Sequence, residues 1–201
     1  MYSDSYQIQS HNDLEFSVGR LRHQEKIREL LRLYLPKFAE EFSTGIDSES
    51  IKEDSISREL VKYLNGGMVA AGVFLFDFNE KNGPDLLIFV KPYQLHSEPI
   101  YIIEAKRLPP TSSQDYVRTG IGRFKTLEHG NTKHNNAAMF GYVQSESFDH
   151  WFGKVNQWIS GLVDKKVHGW SAADQLKQIA GGSVNEYRSV HERDNCDSIT
   201  I

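Results

Sequence analysis

The sequence predicts an α/β domain, a central mixed sheet flanked by helices, preceded by a helical N-terminal segment. Two observations carry this. Apolar residues at three- and four-residue spacing alternate along the chain with short apolar runs bounded by turn residues. Three such runs follow one another before the next helical stretch, giving the order α, β, β, β, α, β, α. No internal repeat and no low-complexity segment interrupts it.

Residues 1–18 are polar and read as irregular. Over 19–42, Leu21, Ile27, Leu30, Leu31, Tyr34, Leu35 and Phe38 form one face of an amphipathic helix, with Pro36 expected to kink or divide it. Residues 44–55 (TGIDSESIKEDS) read as a linker. The chain therefore divides into an N-terminal tail and helix, 1–46, and an α/β domain, 47–201. A second helix is expected over 55–64, ended by Asn65, Gly66 and Gly67, residue types that tolerate positive φ.

Strands are expected at 68–78, 84–90 and 100–108, with NEKNG (79–83) as a turn and KPYQLHSEP (91–99) as a loop. Pro109 and Pro110 stop the third strand. Thr111, Ser112 and Ser113 are N-cap candidates for a helix running to about His129, with Gly130 as its stop. Residues 137–143 give a fourth strand and 148–163 a further helix. A shorter helix is expected over 172–179, and one or two short strands in 184–201.

Bulk properties narrow the function classes. The chain has 201 residues, 39% hydrophobic and 25% charged, enough to bury a core without disulfides. Its one cysteine, Cys196, cannot form an internal disulfide, which suits a reducing compartment. The polar opening MYSDSYQIQS lacks the apolar run of a secretory signal, and no stretch has the length of a membrane span. These features predict a cytoplasmic protein without a membrane partner. A net charge of −4 is not that of a generally basic nucleic-acid binder, so any such binding rests on local basic patches.

Glu104-Ala105-Lys106 is the most informative tripeptide. On a strand, residues i and i+2 share a face, so Glu104 and Lys106 project side by side beyond Ile100 and Ile102. A carboxylate and an ammonium ending such an apolar strand are costly to bury unless they pair or bind something. Asp164-Lys165-Lys166 has the same residue types but lies at a helix end, where i and i+2 diverge. Asp85, after Pro84 at the mouth of the preceding strand, can converge on Glu104 if the two strands pair. Two converging carboxylates suit Mg²⁺ or Mn²⁺. Such a site fits phosphodiester hydrolysis: the cation activates water, and Lys106 adds positive charge near the transition state. Glu59, in SRELVKYL, is the fourth candidate. It is placed to bind a second cation, directly or through water, or to orient Lys106, and the sequence does not choose among these.

This arrangement resembles the PD-(D/E)XK nuclease superfamily, the restriction-endonuclease-like fold. The matching residues are Glu59 on the leading helix, Pro84-Asp85 opening the second strand and Glu104-Ala105-Lys106 on the third, within residues 55–143. The superfamily's core, αβββαβ, has the order read above. The resemblance implies that Asp85 and Glu104 bind Mg²⁺ (or Mn²⁺), with the backbone carbonyl of Ala105 assisting, and that Lys106 positions the attacking water. It implies a nuclease acting on DNA more than on RNA, with bacterial genome and antiviral defence as an analogous role. Silent members also exist. The rival expectation is therefore a non-catalytic module whose 19–42 helix holds a partner protein or a second copy.

Arg118, Arg123 and Lys125 lie on the helix after the third strand. They are candidates for phosphate contacts, beside the plainer reading of a solvated face. Gln114 and Tyr116 are two residues apart, not the four of the glutamine-tyrosine motif of exonuclease-like members, so that role is not carried over. His129, His134 and Cys196 lack the spacing of a structural zinc site. His134 precedes an apolar strand, unlike the base of an HNH nuclease, and is expected to face solvent or cap. Trp151, Phe152 and Trp158 share helical spacing with Val155, Ile159 and Leu162, which favours a core face over a base-stacking surface. No Walker-type phosphate loop is present.

Overall fold

Glu53 and Asp54 open a helix whose Ile56, Ser57, Leu60 and Leu64 are buried at three- and four-residue spacing. This helix and the strands after it build the centre of the molecule. The structure, a computed structural model, describes residues 4–43, 51–66, 73–79, 83–91, 98–109, 114–126, 134–180, 185–193 and 196–201, without the side chains of 4–18, 180 and 196. Outside the described residues lie most of the 44–55 linker, the first part of the 68–78 strand and most of the NEKNG turn. So do most of the loop before the third strand, the caps at Thr111–Ser113, the helix end at His129, the glycines at 181–182 and the Cys196 side chain.

The N-terminal helix α1 spans Asp4–Ser43 and contains Pro36 without ending there. It starts well before residue 19, so residues 4–18, expected to be irregular, are helical. Helix α2 is Glu53–Gly66, two residues longer at each end than the expected 55–64. Strands β1 (Phe74–Phe78), β2 (Leu86–Val90) and β3 (Tyr101–Leu108) form an antiparallel meander, and β4 (Ala138–Val143) joins β3 in parallel. A parallel neighbour needs a crossover. It contains a π-helical turn, Tyr116–Ile121, running into the short α3, Gly122–Lys125. Gly122 N–H donates to Val117 O, the five-residue step of a π-turn, where an ordinary helix over 111–129 was expected.

The protein is thus α/β, with a mixed four-stranded sheet in the order β1-β2-β3-β4. Alternation along β3 sends Tyr101 and Ile103 to one face and Ile102 and Leu108 to the other. On the first face, Ile27, Leu31 and Phe38 of α1 pack with Leu60 and Leu64 of α2 over Phe74, Phe76, Leu86 and Ile88. The N-terminal helix therefore shares a core with the α/β elements. On the second face, the crossover packs against α4, Phe148–Asp164, through Val117, Ile121, Trp151, Val155, Ile159 and Leu162. Trp151 and Trp158 are buried core residues, while Phe152 stacks on Tyr187 with ring centroids 4.7 Å apart. With helices on both faces, β3 is buried along most of its length, its apolar first half running into Glu104, Lys106 and Arg107. Edge strand β1 is blunted by Asn65, whose side-chain amide exchanges hydrogen bonds with the backbone of Phe76 (2.5 and 3.1 Å).

The C-terminal segment corrects one expectation. Residues 172–179 are not a helix. A 3₁₀ turn, Ala172–Asp174, is followed by β5, Lys177–Ala180, which pairs with β6, Glu186–Arg188. Ser171 and Asp174 form a reciprocal capping box around that turn, and Asp174 is buried. Its side chain is committed to tertiary partners that a continuing helix would not reach, so context overrides helix propensity here. A second hairpin joins β7, Val190–Arg193, to β8, Cys196–Thr200. Thr200 bridges to Asn136 just before β4, tying the hairpin to the sheet.

Candidate active site

The site begins with a mismatch in strand length. β2 pairs with β3 only through Leu86↔Ile103, Leu87↔Ile102 and Ile88↔Tyr101. Beyond Ile103, β3 continues alongside β4 alone. Alternate backbone amides of β3 then face the side where β2 has ended, and buried N–H groups need acceptors. Asp85, one residue before β2, supplies the first: its Oδ2 accepts from Ala105 N–H at 2.7 Å. Glu53, in the first turn of α2, supplies the second: its Oε2 accepts from Arg107 N–H at 2.7 Å. Two carboxylates are thereby drawn to the open edge of β3.

Glu104 is fully buried and points to the crossover face of the sheet with Lys106. Its Oε1 lies 2.7 Å from Lys106 Nζ and 3.2 Å from Arg123 Nη1. Its Oε2 is a buried oxygen that accepts no hydrogen bond among the described residues. Lys106 Nζ is also 3.0 Å from Glu53 Oε1 and 4.0 Å from Asp85 Oδ2, and donates to the carbonyl of Ala105 at 2.7 Å. One ammonium is therefore shared by three carboxylates. Gly120 of the π-helical turn lies against the Lys106 stem. A Cβ there would strike the methyl of Met139 and come within 3.5 Å of Lys106 Cγ.

The electrostatics follow from burial and crowding. Burial, then the charge of Glu104, pushes the Asp85 carboxyl up to about 6, against the Ala105 N–H and Lys106, with Glu53 adding to the rise. Burial works to lower the Lys106 ammonium, but hydrogen bonds and charge from Glu104, and then Glu53, outweigh it and raise it. The three acids exceed Lys106 and Arg123 in charge, and all offer hard oxygen donors suited to Mg²⁺ or Mn²⁺ rather than to zinc. Among the described residues, no three His, Cys, Asp or Glu side chains stand as a group that could hold a metal ion. The acids are arranged around the Lys106 ammonium, which takes the central position.

Of the residues expected in the site, Asp85, Glu104, Ala105 and Lys106 come together. Glu59 does not join them. It lies half-exposed on α2, with its Oε1 2.6 Å from Lys62 Nζ. Six residues from Glu53, it falls on a different side of the helix, and Glu53 takes the place expected of it. Of the expected phosphate contacts, only Arg123 reaches the cluster. Arg118 is exposed and donates to Gln114 Oε1 at 3.0 Å. Lys125 is buried in an ion pair with Asp174, so it is not a surface cation. His134, expected to face solvent, is buried, its Nδ1 accepting from Arg20 Nη2 at 2.8 Å. Glu53 was masked by the linker reading of IKEDS. Its one signal was the acidic pair Glu53-Asp54 ahead of the first apolar helical residue.

The fold and the site together define an α/β protein with a lysine-centred acidic cluster where two strands part. No family model, curated protein or solved structure matches the chain. Among the described residues, no helix is long and apolar enough to cross a membrane.

Proposed function

We propose that the chain is a metal-dependent nuclease that hydrolyses phosphodiester bonds, in DNA before RNA, with Mg²⁺ or Mn²⁺. The observation carrying this is the convergence of Asp85, Glu104 and Glu53 on Lys106, at distances of 4.0, 2.7 and 3.0 Å. The element order αβββαβ and the position of Asp85 and Glu104-Ala105-Lys106 within it support membership of the PD-(D/E)XK superfamily.

In this reading Asp85 and Glu104 would hold the cation, with the Ala105 carbonyl as a further donor. A cation held there would supply Lewis acidity, lowering the pKa of water and neutralising charge that develops on phosphate. Lys106, beside both carboxylates, would donate a hydrogen bond to the attacking water. Glu53 limits how far Lys106 swings and keeps the edge of β3 capped. Arg123, half-exposed beside Glu104, is released toward a substrate phosphate once that carboxylate is engaged elsewhere.

A second reading is a silent module that keeps the fold and binds a partner. It is favoured by the way Lys106 and Arg123 already answer Glu104 within the chain. Plasmid digestion in Mg²⁺ or Mn²⁺, with EDTA controls, separates the two readings when run with Asp85→Ala and Lys106→Ala. Cutting abolished by EDTA and by both substitutions is expected. Cutting that survives both substitutions refutes the mechanism. Calorimetry with Mn²⁺ on wild type and Glu104→Ala reads the centre directly, and equal heats would reject it.

A further inference from the structure

Beyond the acidic cluster, a half-open cleft of about 250 Å³ lies between the crossover, the turn after α4 and β7. Val117, Ile121 and Phe124 of the crossover are packed into cores. Arg118 and Lys125, on its other side, line the cleft. The walls differ in chemistry. Arg118 and Lys125 are cationic, Trp170 is aromatic, Leu162 and Val167 are apolar, and Glu192 offers a carboxylate.

Arg118 is the cation the cleft offers to a ligand, and the wall beside it is built into the fold. Lys125 is buried, pairs with Asp174 and stands 4.9 Å from the centre of the Trp170 ring. Asp174 is also 2.5 Å from His191 Nδ1 and accepts from Ser171 N–H at 2.6 Å, while His191 Nε2 is 2.7 Å from Ser189 Oγ. Ser189, His191 and Asp174 line up as in a hydrolytic triad, but all three are buried, so no substrate reaches the hydroxyl. Their alignment instead fixes Asp174, and through it Lys125, before any ligand arrives. The turn beside the cleft is set by two left-handed residues, Lys166 (φ 54°) and Gly169 (φ 80°).

We infer that this cleft binds a nucleoside monophosphate. A guanidinium fits a phosphate through two parallel hydrogen bonds, which gives Arg118 its role. Trp170 and the apolar wall take the base, as aromatic rings do with every nucleobase. Glu192 accepts hydrogen bonds from ribose hydroxyls. A bare inorganic anion would leave Trp170, Leu162 and Val167 unused, and an uncharged aromatic would leave Arg118 unused. The cleft is smaller than the roughly 300–1,000 Å³ of typical ligand pockets. It therefore suits one nucleotide partly in water.

The test uses the full chain in EDTA, so it is independent of any metal at Asp85. Adenosine 5′-monophosphate, adenosine and inorganic phosphate are titrated by calorimetry and by tryptophan fluorescence. The monophosphate is expected to bind at least about ten-fold more tightly than either fragment and to quench fluorescence. Arg118→Ala and, separately, Glu192→Ala, both at exposed positions, should each weaken it by about ten-fold with an unchanged circular dichroism spectrum. Phosphate or adenosine binding as tightly as the monophosphate overturns the proposal. So does wild-type affinity in both variants. Binding by a single-stranded oligonucleotide alone, with none by the monophosphate, also overturns it.

Discussion

Asp85 is expected to cost the fold stability at neutral pH, and Asp85→Asn to recover it. Burial and the charge of Glu104 move its carboxyl from 3.8 to about 6. The folded chain thus binds this proton more tightly than the unfolded chain does. The stabilising contribution is fully present below the unfolded value and is lost as the pH rises through about 6. At about 1.4 kcal/mol per pH unit, that interval amounts to about 3 kcal/mol. This is an upper figure, because the side chain keeps 17% of its surface in water and charges there are partly screened. Asparagine preserves the shape and an oxygen for the Ala105 N–H. Asp85→Asn should therefore raise the unfolding free energy at pH 8 by about 1–3 kcal/mol, with a gain that shrinks toward zero near pH 4. Urea denaturation in EDTA between pH 4 and 8 measures both curves. A variant less stable than wild type at pH 8, or two curves that stay parallel, would refute the reasoning. Mn²⁺ should reverse the order, stabilising wild type more than the variant.

Other perturbations have clear directions. Asp174→Asn should lose about 3–5 kcal/mol, seen as a large fall in Tm, because it strips the charge partner from buried Lys125. The Asp174 carboxyl is held below its usual range, burial being outweighed by hydrogen bonds from His191 and Lys125. Its contribution is therefore present above the usual carboxylate range and disappears as the pH falls through the lowered value, so acid unfolding of the variant should be less steep there. Lys62→Ala, by contrast, breaks only the exposed pair with Glu59 and should change stability by less than about 1 kcal/mol in the same melts. Ser147→Ala removes the side-chain acceptor for His150 N–H at the start of α4 and should cost about 1 kcal/mol in urea denaturation.

The legible parts of the fold were those written by local periodicity. The strands at β2, β3 and β4 and the helix α4 lie within one or two residues of where apolar spacing put them, because each buries a face that alternation or helical spacing reveals. Glu104 and Lys106 could be brought together from sequence because strand parity fixes which side chains share a face, and Asp85 because it opens the strand expected to pair with theirs. Glu53 was not legible, because its role depends on β3 outrunning β2, a difference in strand length that no local pattern reports. Nor was the fate of Lys125, whose partner lies 49 positions away in a turn that reads as helix. The expected helix at 172–179 failed for the same reason. AADQLKQIA has good local helix formers, yet Asp174 is bound by Lys125 and His191 from distant elements. The π-helical turn also escaped prediction, since a single wide turn leaves apolar spacing almost intact over so short a segment.

The amides of Ala105 and Arg107 act as two pegs for the acids that surround Lys106. Each fixes the plane of a carboxylate while the chain folds, so the rotational freedom of Asp85 and Glu53 is surrendered before any ligand arrives. An acid longer or shorter by one methylene would miss its peg, leaving an exposed strand edge as well as a displaced oxygen. Asp85→Glu and Glu53→Asp are for that reason not conservative changes: each would disturb sheet and site together.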